Sequence, residues 1–265
     1  MRNRARIGIS GVVALWAGSA LAGDGAAAVG HGKIDYTAKT VTATGSGAPN
    51  LKAGNVAVAR LGAERAAKMD ALRNILEAVK GVRVSSNKTA GKAMEEQPEV
   101  KARVEGIVKD FKVLDTKYYS DGGVDVIVQV PLDGVLTAAL LPQSSTAAAT
   151  PAPDPGGVTG VIVNAKGLGV MPALAPRLLD DAGKEIYSAA IVTKDAVNKH
   201  GIAGYTGSLD GAMKDNRVTD KPLIVRAAKL AQAGGSDLVL SADDAAKIAK
   251  LAGVLADAKL IIVTD

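Results

Sequence analysis

The chain has 265 residues, a formal charge of +5, two histidines and no cysteine. The missing thiols exclude disulfides and Cys-ligated metal sites. The charge argues against a nucleic-acid binder. Arg2, Arg4 and Arg6 stand in a leading segment without acids, so the remaining chain carries only +2, and residues 142–265 balance 13 basic against 13 acidic side chains. Nucleic-acid binders concentrate positive charge on one face.

After the three arginines comes an apolar run of 16 residues, IGISGVVALWAGSALA, closing on Ala20-Leu21-Ala22. That is the grammar of a secretory signal over residues 1–22, cleaved between Ala22 and Gly23. The run is short of the ~20 residues that a membrane-spanning helix needs. The signal makes the expected location periplasmic, and no later segment is apolar enough to span a bilayer, so no integral span is expected after signal removal. The leader 23–34 is rich in Gly and Ala and reads as flexible.

A first domain is expected over 35–141. Tyr36–Thr44 alternates and is β-branched, the pattern of a strand. Asn55 is placed to cap a helix over 56–80. Val58, Leu61, Met69, Leu72, Ile75, Leu76 and Val79 recur by threes and fours and predict its buried face, with Leu76 and Val79 deepest. Arg60, Glu64, Lys68, Arg73 and Glu77 make the outer face. Glu64 and Lys68 form an i,i+4 pair, and Gly81 occupies the left-handed C-terminal position. VRVSS then alternates as a strand, and a second helix follows Pro98 with Val100, Val104, Ile107 and Val108 as its stripe. FKVLDTKYYS and VDVIVQVPL flank Asp121-Gly122-Gly123 as a hairpin. Tyr118 and Tyr119 are adjacent on a strand, so one is expected in the core and the other on the surface, as an interface anchor.

LPQSSTAAATPAPDPGG, residues 141–157, reads as an extended linker, and the boundary is placed at 142–158. A second domain, 159–265, starts with the strand TGVIVN and the glycine turn AKGLG. APRLLDDAGKEIYSA suggests a hairpin about Asp181-Ala182-Gly183. A helix near 194–200, an irregular stretch, strands in LIVRAAKLA and SDLVLS, a Ser241-capped helix over 242–257 and the strand KLIIVTD complete it. The fold class is α+β: two small mixed α/β domains joined by a Pro/Ala/Thr linker, the first a long helix packed on a largely antiparallel sheet.

Chemistry is sparse. His31 and His200 lie far apart and suit no zinc site, and no nucleophile elbow accompanies His200. KGLG at 166–169 is followed by VMPALAP, not by the helix of a dinucleotide fingerprint. Asp180-Asp181, Glu95-Glu96 and Asp243-Asp244 suit a turn, a loop and a helix start, and none matches a calcium loop. No catalytic residue, cofactor or metal is expected, and the chain reads as a non-enzyme.

Residues 59–89, ARLGAERAAKMDALRNILEAVKGVRVSSNKT, carry the alanine-rich helix start, Asp70-Ala71-x-Arg73, Leu76-Glu77 and the exit Gly81-Val82-x-Val84. This stretch resembles the helix-to-strand core of the twenty-kilodalton outer-membrane lipoprotein (LPP-like) family and of related flagellar assembly proteins, over about residues 35–141. The second domain resembles one that accompanies such cores in other bacterial envelope proteins. The resemblance implies a non-catalytic envelope protein that acts by self-association or by docking on an outer-membrane or flagellar assembly. Its partner would be itself or another envelope protein. Lipid anchoring at a cysteine, common in that family, has no residue to use here. The candidate interface is Arg60, Glu64, Arg73, Glu77, Tyr118 and Tyr119. The alternative is a periplasmic ligand-binding or hydrolytic domain, with exposed amides of Gly167–Gly169 and loop 201–211 binding an anion; its small ligand is unknown.

Overall fold

A computed structural model describes residues 26–132, 134–141 and 157–265. The expected signal with its cleavage site at Ala22–Gly23, and residues 142–156 of the expected linker, lie outside them.

The first unit runs β1 (Ala26–Val29), β2 (Gly32–Asp35), β3 (Thr40–Gly47), α1 (Val56–Lys80), β4 (Arg83–Ser85), β5 (Lys88–Thr89), α2 (Ala90–Glu96), α3 (Pro98–Lys109), β6 (Lys112–Tyr118), β7 (Val124–Pro131) and α4 (Val135–Leu140). One antiparallel sheet has the order β1-β2-β3-β7-β6. The described part of the leader is therefore built into the sheet, and Ile34 is buried. Of the strand expected over Tyr36–Thr44, residues 36–39 form the turn between β2 and β3, and the strand starts only at Thr40. Val124, Val126, Val128 and Val130 face the core, while intervening residues are partly open, as in a sheet covered on one face.

The long helix lies on β3 and β7, and Asn55 caps it by accepting the Val58 N–H at 2.9 Å. Its buried face is the expected one only toward the C-terminal end, at Ile75 and Val79. Ala63, Ala67, Ala71, Ile75, Ala78 and Val79 are buried, whereas Val58, Leu61 and Met69 are 54%, 56% and 64% exposed. Leu72 and Leu76 are half-buried. The reason is the strand beneath. A Cβ on Gly45 would sit 2.0 Å from the Ala71 nitrogen, and one on Gly47 2.0 Å from the Ala63 oxygen. Helix and strand meet nearly backbone to backbone, a separation that only alanine fits. The Asp70 carboxylate then accepts the Ser46 N–H at 3.1 Å, and the Asn74 amide donates to the Thr44 carbonyl at 2.8 Å. Gly81 is right-handed, with φ −73°. Its lack of a side chain answers Val29, whose methyl would stand 3.0 Å from a Cβ.

The second unit runs β8 (Gly160–Asn164), β9 (Leu178–Leu179), β10 (Glu185–Tyr187), α5 (Lys194–His200), β11 (Gly204–Thr206), α6 (Leu209–Met213), β12 (Pro222–Arg226), β13 (Lys229–Leu230), β14 (Leu238–Val239), α7 (Ala242–Ala249), α8 (Ala252–Ala256) and β15 (Leu260–Val263). A parallel sheet has the order β11-β15-β8-β12, and a mixed one β10-β9-β14-β13. Both faces of the parallel sheet are covered. Ile162, Ile261 and Val263 pack with Ala212 and Val218 on one side; Val161, Val163, Leu260 and Ile262 join the main core on the other. The stretch read as irregular holds β11 and α6. LIVRAAKLA divides between two sheets, because Ala227 N–H bonds Asn164 while Ala228 N–H bonds Val239. The helix expected over 242–257 breaks at Lys250-Leu251, where Leu251 turns inward.

Together the two units are α+β. Their buried side chains form one cluster, from Ile34 to Ile262. At the seam, Leu174 and Ala175 N–H groups bond the Arg83 and Val84 carbonyls at 2.9 and 2.8 Å. The Ser86 hydroxyl accepts the N–H groups of Ser236 and Asp237, and Tyr36 meets Tyr205 edge-on at 6.2 Å between ring centroids. Burial pushes the Tyr36 hydroxyl pKa up to about 12, so this tyrosine is a neutral core member that accepts the Arg83 N–H.

Candidate interaction surfaces

The alanine face of α1 turns its larger side chains outward. Val58, Leu61, Arg65 and Met69 follow at intervals of three and four, which places them on one face of a helix. Leu51 and Val56, near the helix start, are 90% and 79% exposed. Among the described residues, Arg65 has no carboxylate partner.

Beside the stripe, strand β6 forms an open sheet edge. Tyr118 and Tyr119 are both about half exposed, so neither is the expected core residue. An edge strand has only one neighbour and little cover on either face. The Tyr118 hydroxyl donates to Glu64 at 3.2 Å, and the Arg60 guanidinium stands 5.4 Å from its ring centroid. The Glu64–Lys68 pair closes at 2.7 Å. The Lys68 hydrogen bond, then its charge, hold the Glu64 carboxyl below its ordinary range. On the opposite sheet face, Tyr119 and Ser46 hydroxyls both donate to Asp125 at 2.6 Å. These bonds keep its carboxyl low, the Ser46 one most. The structure thus brings Arg60, Glu64 and Tyr118 together and leaves Tyr119 apart. Arg73 and Glu77 make only exposed helical pairs, with Asp70 and Lys80.

The glycine turn Gly167–Gly169 has both glycines at positive φ, as a tight turn requires. Its amide is already engaged: the Asp265 carboxylate accepts the Gly167 N–H at 2.9 and 3.0 Å. Gly201 and Ile202 line a void of about 20 Å³. His200 ends α5, and its carbonyl accepts from Arg217, a guanidinium that also donates to the Ala258 carbonyl at 3.0 Å. Burial, and after it the Arg217 charge, keep the His200 pKa below the ordinary imidazole value. Asp180-Asp181 and Asp243-Asp244 stand in the expected turn and helix start. Glu95-Glu96 instead ends α2, where Glu96 pairs with Lys88 at 2.5 Å. Among the described residues no group of three His, Asp or Glu is placed to hold a metal ion, and no helix is long and apolar enough to cross a membrane.

A groove of about 700 Å³ lies between the β9–β10 hairpin and helices α7 and α8. Ala242, Ala246, Ala249 and Ala252 floor it, with Ile186 and Ile191 as one wall. Asp180, Asp181 and Glu185 line its rim together with one base, Lys184. Glu185 is shared with Arg177 at 3.8 Å, and the Asp180 carboxylate accepts the Lys184 N–H at 2.7 Å. Asp181 has no basic partner among the described residues. Sequence reading missed this groove. Its signal was the alanine recurrence at 242, 245, 246, 249 and 252, which marks a helix face too small to fill a core.

Comparison with curated proteins finds no match for the chain. Over residues 160–265, from the start of β8 onward, the chain is similar to the family described as Treponema pallidum Tp0624, second domain.

Proposed function

We propose that this is a non-catalytic protein of the periplasmic cell envelope, acting through self-association or by docking on an outer-membrane or flagellar assembly. The observation that carries this reading is the outward stripe Val58, Leu61 and Met69 on α1. Large side chains are solvated there while alanines are buried, and contiguous exposed apolar surface marks a contact site. The secretory grammar of residues 1–22 supports the location, and the likeness of residues 59–89 to envelope-protein cores supports the class.

The test is light scattering on the chain without residues 1–22, over a concentration series, with co-sedimentation on outer-membrane fractions. An assembly or sedimenting complex is expected, dispersed by the pair Leu61→Ser and Met69→Ser. A strict monomer that sediments with no envelope fraction overturns the reading.

A further inference from the structure

The stripe on α1 and the groove of the second unit have matching chemistry. The stripe is a convex apolar ridge carrying one unpaired cation, Arg65. The groove is a concave apolar surface carrying one unpaired anion, Asp181, on a rim where carboxylates outnumber ammonium groups. From Val58 to Met69 the helix rises about 16 Å, and the groove runs along α7 for about 11 Å at 1.5 Å per residue, with α8 following after the break at Lys250-Leu251. The floor is made of alanines, and this chain already uses alanine to bring α1 close to a neighbour: Ala63, Ala67 and Ala71 sit directly on β3. An alanine floor likewise lets an incoming helix approach closely, so that its larger side chains reach the walls at Ile186 and Ile191.

We propose that the outer face of α1 docks into the alanine-floored groove of a second copy of this chain, with Arg65 beside Asp181 at the rim. The inference rests on the self-association reading and names its two surfaces. The contact is heterologous, because ridge and groove are different parts of the molecule. Each copy therefore keeps one free ridge or one free groove, and addition continues head to tail until a ring closes or a filament grows. The apolar contact supplies the affinity, while the opposed charges favour this partner and register over others.

The absence of cysteine makes the contact directly testable. Met69→Cys and Ala246→Cys are prepared as separate chains; both positions are exposed, so both are expected to fold, which a thermal melt checks. Mixed under mild oxidation, they are expected to give a disulfide-linked pair joining residues 69 and 246, identified by peptide mass, while neither alone crosslinks. The double variant is expected to give a ladder of sizes. Ala246→Trp, which fills the groove, is expected to abolish dispersible assembly with the fold retained. Arg65→Asp is expected to weaken association about tenfold, equivalent to about 1.4 kcal/mol, and Asp181→Arg in the same chain to restore it. Crosslinking of Met69→Cys with itself would show a two-fold contact of ridge on ridge, overturning the groove docking but leaving self-association standing. So would an assembly by light scattering in which the mixed variants form no 69–246 link. A monomer with no crosslink overturns both readings.

Discussion

Strands β8 and β15 of the second unit and the start of α1 in the first treat large hydrophobic side chains in opposite ways. In the second, the parallel strands β8 and β15 are buried on both faces, and their apolar runs GVIV and LIIV lie wholly inside. Large apolar residues there mean core. In the first, the antiparallel sheet is covered on one side by a helix that presents alanine to it, and the large residues at the start of that helix are solvated. Large apolar residues there mean surface. Apolar periodicity shows which residues share a face; it does not show which face is buried. That choice depends on how closely the neighbouring element approaches.

Four measurements would break or sharpen this contrast. The largest effect is expected from Gly45→Val and Gly47→Val. Ordinary overpacking costs about 1–3 kcal/mol, occasionally more, and here the added atoms meet helix backbone at 2.0 Å. Urea unfolding should show a loss above that range; an unchanged midpoint would mean that α1 does not rest on β3. Next, Leu260→Ala should cost about 2–5 kcal/mol, as for a fully buried aliphatic residue. Leu61→Ala, the same chemical change on α1, should stay within about 0.5 kcal/mol. Equal losses at the two positions would remove the distinction between the units.

The seam between the units gives the third prediction. Ser86→Ala removes the acceptor for two N–H groups, so about 1–3 kcal/mol should be lost, and one thermal transition is expected because the two units share a core. Two separate transitions would instead show independent cores. The smallest effect concerns pH. His200 is disfavoured as a cation by burial and by Arg217, with Lys199 and Lys39 adding and Asp215 opposing. Its folded pKa lies below its unfolded value of about 6.5. The unfolded chain therefore binds the proton more readily, and this contribution is complete above about pH 6.5 and lost as pH falls through it. His200→Gln should flatten the stability profile in that window; an unchanged slope would assign the acid sensitivity to other groups.

Much of the local structure was legible. Asn55 and Ser241 cap their helices as short polar residues do, because their side chains replace missing backbone acceptors. The Val124–Val130 alternation and the turns at Gly122 and Gly183 followed from pleat and positive φ. Short elements were not legible: α2, α4, β11 and α6 carry too few residues for a period to show. Gly81 was misassigned because glycine has two uses, left-handed backbone and close approach, and only the position of Val29 distinguishes them. The anion reading of Gly167 failed in a similar way, since its amide partner, Asp265, is 98 residues away in sequence.

The sequence by itself determined the α+β class, the long helix with its start and end, the strand alternation and the scarcity of reactive groups, because these depend on neighbours a few residues apart. Only the tertiary structure decided which face of α1 looks outward, that the two units share one core, and that a groove opens on the alanine face of α7. Each of these depends on how near two distant segments come. Here that distance was determined by the size of the residues between them, glycine on the strand and alanine on the helix.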